Sequence, residues 1–210
     1  DEVIVGCVIA APDEANIARI IALRLGCGKS VPAYTVQRNC ASGLQALSNA
    51  RERIALGQAH LILAGGTEVM SRAPIQWNAA MVNWLANMMR ARNIVQRLKA
   101  IAGFRFGHLK PVFTLLLGLT DALVKLNMGQ TAEIVAHRFG ISREQMDEYA
   151  VASHKNLSAA FDAGSMNDEV THLYDTRGKV FFEDTGLRRD TDMTALAKLK
   201  AVFDRKYGLV

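Results

Sequence analysis

The chain has 210 residues, 50% of them hydrophobic and 21% charged, and a net charge of +5. This composition can build a core, in one large domain or two small ones, and it excludes a disordered tail, a collagen-like repeat and a coiled coil. Three cysteines form an odd set that is too sparse for a disulfide scaffold, which favours a reducing compartment. The first residues lack the basic and long apolar regions of a signal peptide, so no export signal is expected.

The first 75 residues alternate between patterns typical of strands and of helices. The predicted elements are a strand at 3–9, a helix at 15–25, a strand at 32–37, a helix at 42–56 and a strand at 61–64. The helix at 42–56 carries Leu44, Leu47 and Ile54 on one stripe, and the last strand is expected to break at Gly65 and Gly66. This βαβ order predicts parallel strands in an α/β sheet, and we expect residues 1–75 to form one domain.

Residues 76–210 have a different character and are expected to form a second, mostly helical domain. Met81, Trp84, Leu85 and Met88 predict an amphipathic helix. The uncharged stretch at 111–120 is too short to cross a bilayer, because a spanning helix needs about 20 residues.

Two further helices are predicted near the end of the chain. Ser142 and Gln145 form a capping box that opens a helix closed by Gly164. The residues expected on the buried side of that helix are Met146, Tyr149, Leu157 and Phe161. Residues 190–203 predict a last helix.

Charge is unevenly distributed along the chain. No carboxylate lies between Glu68 and Asp121. Seven basic residues fall inside that gap, namely Arg72, Arg90, Arg92, Arg97, Lys99, Arg105 and Lys110. This asymmetry predicts an acidic partner for the segment, and a solvated basic face is the alternative. No nucleic-acid-binding motif and no pair of zinc ligands at the needed spacing occur, so neither nucleic acid nor metal is expected.

Cys40 is the residue best placed for chemistry. It lies at the junction between the predicted strand at 32–37 and the helix that begins near Ser42. Unpaired N–H groups and the dipole at the amino end of a helix stabilise an anion, which favours a nucleophilic thiolate. Nothing near Cys7 or Cys27 would activate them, so both are interpreted as core thiols, and the same structural role is the alternative for Cys40.

Five segments together resemble the thiolases, the acyl-CoA C-acyltransferases. In chain order they are Asn39-Cys40-Ala41-Ser42-Gly43-Leu44-Gln45-Ala46, Ala64-Gly65-Gly66-Thr67-Glu68-Val69-Met70-Ser71, Met128-Gly129-Gln130-Thr131-Ala132-Glu133, Ile141-Ser142-Arg143-Glu144-Gln145-Met146-Asp147-Glu148-Tyr149-Ala150 and Leu196-Ala197-Lys198-Leu199-Lys200. The resemblance covers nearly the whole chain. It implies a partial thiolase fold, with the βαβ sheet half of the amino-terminal domain followed by a mostly helical loop-domain insertion.

The resemblance implies a 3-ketoacyl-CoA thiolase of fatty-acid β-oxidation. Cys40 would attack the 3-keto carbonyl, expel acetyl-CoA as its enolate and pass the shortened acyl group to a second CoA, while its backbone N–H helps to hold the oxyanion. The family relation also assigns CoA contact to Met128 and Arg188, with core packing and a surface charge as the alternatives. No permanently bound cofactor is implied, since CoA and acyl-CoA are substrates.

The chain departs from the family pattern at several points. Asn127 stands where many thiolases carry a histidine, and Gln37 where they often carry an asparagine. Neither the Gly-His-Pro segment nor the Cys-x-Gly-Gly-Gly segment, which supply the family's two proton-transfer residues, occurs in the chain. We therefore expect a fragment, truncated at both ends, that is inactive alone.

Residues 77–126 resemble the membrane-associating insertion of the thiolase subunit in trifunctional fatty-acid oxidation complexes. The expected partners are therefore a second copy of the chain, a hydratase/dehydrogenase subunit, and an anionic membrane surface that contacts residues 81–126. A cytoplasmic location with membrane association is predicted, and the mitochondrial matrix is the alternative. A β-ketoacyl synthase and a non-catalytic, thiolase-like protein that binds a membrane or a subunit are the alternative functions.

Overall fold

The computed structural model describes residues 1–210, which separate into two compact units, 1–119 and 120–210. The first unit is built on a three-stranded sheet of β1 (Glu2–Gly6), β2 (Ala33–Val36) and β3 (Ile62–Gly66) in the order β2-β1-β3. Both pairs of strands are parallel, which confirms the predicted βαβ arrangement. The helices α1 (Ile17–Arg24) and α2 (Ser42–Ala55) connect the strands.

The core lies on both faces of β1, because successive side chains of a strand point to opposite sides. Val3 and Val5 pack with Ala18 and Ala22 of α1. On the other face, Ile4 packs with small residues of α2, Ala46 and Ala50. A buried ion pair adds to this contact, with Arg53 Nε of α2 lying 2.6 Å from a carboxylate oxygen of Glu2.

One sequence-based expectation about this unit is wrong. The last strand continues through Gly65 and Gly66 instead of breaking there, since both are paired with β1. The alanines of α2 make the contact with β1, and Leu44 on its predicted stripe is 71% exposed.

A helical hairpin closed by a short antiparallel ribbon follows the sheet. Strands β4 (Ile75–Trp77) and β5 (Pro111–Phe113) pair at its base and enclose α3 (Ala79–Arg90) and α4 (Ile94–Ala102). Trp84 Nε1 donates to the carbonyl of Ala100 at 2.7 Å, and the Trp84 ring meets the edge of Phe104. The short helix α5 (Thr114–Gly118) completes the unit. The first compact unit extends from the sheet through α5 to Leu119, and the predicted domain boundary at residue 75 stays a prediction.

The second unit contains α6 (Met128–Phe139), α7 (Arg143–Asp162), the two-stranded ribbon β6 (Leu173–Tyr174) and β7 (Val180–Phe181), and the short α8 (Met193–Leu196). The predicted capping box of α7 is confirmed, with both the Ser142 and Gln145 hydrogen bonds present. Arg143 joins α7 to α8, because its guanidinium contacts the Asp147 carboxylate and donates to the carbonyl of Leu196 at 2.8 Å.

Two details of this unit differ from the sequence-based expectations. Tyr149 is 79% exposed, and the buried residues of α7 are Asp147 and Val151. Arg143, which pairs with Asp147 on the same face of α7, donates to the carbonyls of Leu196 and Leu209, so this face is turned inward and the tyrosine lies on the solvent side. The last helix covers only four residues, beginning after the Asp192 cap.

Candidate active site

Cys40 lies in a tight turn just before the amino end of α2. The thiol is free and the residue is exposed. Asn39, directly before it, has a φ of 48°, in the left-handed region that asparagine tolerates better than most residues. The chain therefore reverses sharply between β2 and α2 and presents Cys40 at the surface of the turn.

The hydroxyl of Ser42 holds this turn together. Ser42 Oγ accepts a hydrogen bond from the Arg38 N–H at 2.8 Å and donates to the Asn39 carbonyl at 2.7 Å. Two backbone bonds reinforce the turn, from the Ala41 N–H to the Arg38 carbonyl and from the Ser42 N–H to the Asn39 carbonyl. Cys40 thus lies between the buried Ser42 and the two preceding residues, Arg38 and Asn39, to which Ser42 bonds.

The amino end of α2 carries backbone N–H groups that are available to bind an anion. Ala41, the N-cap residue, makes no side-chain capping bond, and the first turn holds no acidic side chain. The N–H groups of Gly43 and Leu44 have no partner within the chain. Unpaired donors and the positive end of the helix dipole both favour negative charge here, which suits a thiolate or a developing oxyanion.

Glycines bring the sheet and this helix end into direct contact. A β carbon on Gly6, the last residue of β1, would lie 2.5 Å from the Ser42 carbonyl oxygen and 2.6 Å from the Gly43 nitrogen. A β carbon on Gly66, at the end of β3, would lie 3.5 Å from the Gly43 α carbon. The turn of Cys40 is therefore at the carboxyl edge of the parallel strands, where ligands of open α/β sheets bind.

A row of polar side chains extends from the turn along α2. Arg38 donates to Gln45 Oε1 at 2.6 Å, Gln45 donates to Asn49 Oδ1 at 2.6 Å, and Asn49 donates to the Tyr34 hydroxyl at 3.2 Å. This row links β2 to α2 and keeps the Arg38 guanidinium on the helix near the turn.

The other two cysteines have different surroundings. Cys7 is buried directly after β1, beside Glu68, whose carboxylate accepts hydrogen bonds from the Val8 and Ile9 N–H groups. Burial, and the negative charge of Glu68 after it, raise the pKa of the Cys7 thiol. This agrees with the interpretation of Cys7 as a core thiol. Cys27 is exposed, so its expected place in the core is wrong. It follows the left-handed Gly26 that ends α1, which turns it out to solvent.

Met128 and Arg188 both lie in the second unit. Met128 is the first residue of α6, half-exposed, behind a capping box of Asn127 and Gln130. The Arg188 backbone N–H donates to His154 Nδ1 at 3.3 Å, and its guanidinium has no partner within the chain. No hydrogen bond joins Met128 to Arg188. Their assignment as CoA contacts stays a prediction.

Several residues of this site were not predicted from the sequence. Asn39 and Ser42 were quoted only as parts of a motif, and Gly6 was not considered. A serine at the start of a helix, two positions after a cysteine, was a usable signal. For Gly6 the sequence carried no such signal, because the atoms that Gly6 approaches are more than thirty residues away in the sequence.

The structure shows neither a metal cluster nor a spanning helix. No three His, Cys, Asp or Glu side chains lie together as metal ligands would. None of the helices combines the length and the apolar run needed to cross a bilayer.

A cysteine at the amino end of a helix, on the carboxyl edge of a parallel sheet, is one arrangement that suits covalent acyl transfer through a thiol. Comparison with known proteins shows which family of acyl-transfer proteins the chain resembles. The family described as "Thiolase, N-terminal domain" matches residues 1–210. The chain belongs to the thiolase family.

The relatives and solved structures agree with this assignment. The chain is 36% identical over its whole length to the 3-ketoacyl-CoA thiolase of Photorhabdus laumondii and covers 48% of that protein. The 3-ketoacyl-CoA thiolase of Yersinia enterocolitica gives the same identity and coverage. Human mitochondrial 3-ketoacyl-CoA thiolase is similar in structure, with a TM-score of 0.80, 34% identity, and coverage of 100% of this chain and 49% of the human one. The chain thus spans about half the length of the relatives it matches.

Proposed function

We propose that this chain provides the acyl-accepting half of a 3-ketoacyl-CoA thiolase, with Cys40 as the nucleophile. The observation that carries the proposal is the position of Cys40, exposed in a braced turn whose helix offers the unpaired N–H groups of Gly43 and Leu44. A thiol in such a place is accessible to an acyl thioester, and the helix donors are available to the oxyanion that forms during attack. Membership of the thiolase family supplies the substrate class.

In the degradative direction, the Cys40 sulfur forms a bond to the 3-keto carbon of a 3-ketoacyl-CoA. The bond between the α and β carbons then breaks, its electron pair leaves on acetyl-CoA as an enolate, and a proton completes acetyl-CoA. A second CoA thiol attacks the acyl-Cys40 thioester, releasing the thiolate and a shortened acyl-CoA. The steps that move protons need general acids and bases, which typically contribute about 10² to 10⁴-fold each.

The two proton-transfer segments of the family are absent from these 210 residues. We therefore expect acylation of Cys40 without sustained thiolysis. The test is exchange with radiolabelled acetyl-CoA, in which the Cys40 thiolate displaces CoA and retains the acetyl group. Peptide mass spectrometry should find the label on Cys40, and Cys40→Ser should abolish it. Cys27→Ser is the matched control, because Cys27 is also exposed. Equal labelling of Cys27, or none on Cys40, would contradict the proposal.

CoA and acyl-CoA are proposed to act as substrates, with Met128 and Arg188 in contact with CoA. A similar solved structure is human mitochondrial 3-ketoacyl-CoA thiolase in complex with CoA, with a TM-score of 0.81. The free guanidinium of Arg188 supports a role in binding phosphate, because charge-assisted bonds to arginine suit phosphate oxygens. A homo-oligomer, a hydratase/dehydrogenase partner and a cytoplasmic or matrix location stay predictions.

A second candidate role is peripheral attachment to an anionic membrane through the hairpin of α3 and α4. The hairpin exposes large apolar side chains, among them Met89, Ile94 and Val95, and Met89 is 86% exposed. Basic residues lie beside them, and no carboxylate occurs between Glu68 and Asp121. An exposed apolar face with basic flanks is typical of interfacial helices, and each basic residue contributes about 1 kcal/mol near an anionic surface.

Vesicle co-sedimentation tests this second role. The chain should bind vesicles that contain anionic lipid more strongly than neutral ones, and binding should weaken as salt rises. The double variant Met89→Ser with Ile94→Ser should reduce binding at both salt concentrations, because it removes apolar contact and leaves the charge. Equal or absent binding to the two kinds of vesicle would favour the alternative, in which the basic residues meet CoA phosphates.

A further inference from the structure

The turn 38–42, which carries Cys40, is held by one side chain. A single buried side chain, that of Ser42, contacts the backbone of both residues that precede Cys40. Removing its hydroxyl would leave the Arg38 N–H without an acceptor and would withdraw one of two donors from the Asn39 carbonyl. Two hydrogen bonds therefore depend on one oxygen atom.

The conformation that these bonds hold is not the one the local chain prefers. Asn39 is in the left-handed region, which is unfavourable for most residues other than glycine. The Ser42 bonds to Arg38 and Asn39 close the turn on both sides of this unfavourable residue. Without them, the turn keeps only its two backbone hydrogen bonds, and Cys40 is held less firmly at the start of α2.

The sheet fixes the position of the first turn of α2. Gly6 permits β1 to touch the backbone of Ser42 and Gly43, so the start of α2 cannot shift toward the strand. The turn 38–41 is therefore the part that can move. Ser42, the first residue of α2, connects this turn to the fixed helix through its hydroxyl.

We propose that Ser42 is a positioning residue for thiol chemistry at Cys40, acting through the backbone of Arg38 and Asn39 and not by contact with substrate. This inference rests on the proposed function of Cys40 as nucleophile. It predicts that the hydroxyl of Ser42, and not the size of the side chain, sets how fast Cys40 reacts.

The test measures iodoacetamide alkylation rates of the three cysteines in the 210-residue chain by mass spectrometry. In Ser42→Ala, we expect the Cys40 rate to fall about fivefold or more, since the loss of one hydrogen bond is about 1 kcal/mol. The Cys27 rate should not change. Ser42→Thr restores the hydroxyl and should restore most of the Cys40 rate. Ser48→Ala is the matched control, because Ser48 lies on the same helix and bonds only to Glu52.

The outcomes separate this inference from the proposed function. If Cys40 is alkylated faster than Cys27 in the parent chain and its rate is unchanged in Ser42→Ala, the positioning role of Ser42 is overturned. The proposed role of Cys40 as nucleophile is unaffected by that result. Acetyl-CoA that fails to label Cys40 in the parent chain would overturn the proposed function, whatever the serine does. Alkylation of the buried Cys7 reports unfolding of a variant. If Ser42→Ala unfolds, the Cys40 alkylation rate of Ser42→Thr is the deciding measurement. A folded Ser42→Thr variant in which Cys40 is alkylated slowly would overturn the inference.

Discussion

Gly6 and Ser42 are in backbone contact, although 36 positions separate them in the sequence. A β carbon on Gly6 would lie 2.5 Å from the Ser42 carbonyl oxygen, closer than real β carbons approach such atoms. The end of the central strand therefore rests directly on the first turn of the helix that follows Cys40. Glycine is required at this position by space alone, since its φ is not in the left-handed region.

Gly6→Ala should accordingly destabilise the first unit and displace the start of α2. Overpacking of a tight contact costs about 1 to 3 kcal/mol, and here the facing atoms are backbone and cannot rotate away. Thermal unfolding followed by circular dichroism measures the effect. Gly65→Ala is the control, because a β carbon there meets nothing within 4 Å. Equal stability of the two variants would contradict the contact.

The Asn39 backbone yields a second prediction. Its φ of 48° suits asparagine and glycine, but a β-branched side chain is strained there. Asn39→Gly should keep the stability of the parent chain within about 1 kcal/mol, whereas Asn39→Val should lose about 1 to 2 kcal/mol. Urea unfolding of the two variants provides the comparison. A valine variant as stable as the glycine variant would show that the turn does not have this conformation.

The sheet was predictable from the sequence, and the site was predictable only in part. Apolar runs and glycine stops are local signals, so the strands around β1 and the end of α1 at Gly26 were found to within a few residues. Cys40 was found because its position at a helix start is local too. The exposure of Leu44 was not predictable, since helical spacing marks a stripe but does not tell whether leucines or alanines face the sheet.

The burial of Cys7 predicts a pH effect on stability. Burial and the neighbouring Glu68 raise the pKa of this thiol above its ordinary value of 9.0. The unfolded chain therefore releases this proton at lower pH than the folded chain does. The contribution of Cys7 to stability is full below the ordinary value and is lost as pH rises through the raised pKa. Thermal unfolding between pH 8 and pH 10.5, compared with Cys7→Ala, should show a steeper loss for the parent chain. Parallel curves would contradict this assignment.

Asn78 closes the helical hairpin with one side chain. Its Oδ1 accepts from the Met81 N–H at the start of α3, while its Nδ2 lies within hydrogen-bond distance of the carbonyls of Gly107, His108 and Lys110. Asn78→Ser keeps a capping oxygen and loses the donor. We expect Asn78→Ala to cost about 2 kcal/mol and Asn78→Ser roughly half of that, because a helix cap contributes about 1 kcal/mol.

Limited proteolysis of the hairpin, together with urea unfolding, measures both variants of Asn78. Cleavage near residues 103–110 should become faster in Asn78→Ala and in Asn78→Ser alike, since both free the carbonyls there. Unchanged cleavage in both variants would show that this amide does not close the hairpin. Asn93→Ala is the control, because Asn93 caps α4 through Gln96 and makes no bond to the closing segment.

Two neighbouring arginines of the second unit are expected to have different roles. The Arg189 guanidinium is engaged by Asp162 at 2.7 Å and by Glu183 at 3.2 Å, whereas the Arg188 guanidinium has no partner within the chain. Arg189→Ala should therefore lower stability slightly, since exposed ion pairs are screened by solvent, and should leave CoA binding unchanged. Arg188→Ala should leave stability unchanged and weaken CoA binding about tenfold, the equivalent of about 1.4 kcal/mol for one lost charge-assisted bond.

Isothermal titration with CoA and thermal unfolding, applied to both arginine variants, provide the test. Dephospho-CoA, which lacks the 3′-phosphate, indicates which part of the ligand is recognised. If Arg188 meets that phosphate, the parent chain should bind dephospho-CoA as weakly as Arg188→Ala binds CoA. If Arg188 meets the diphosphate, the variant should lose affinity for both ligands. Unchanged CoA affinity in Arg188→Ala would contradict the assignment of Arg188 to the CoA site. An equal loss of CoA affinity in Arg189→Ala would also contradict it, because the ion-paired Arg189 would then contribute as much to CoA binding as Arg188.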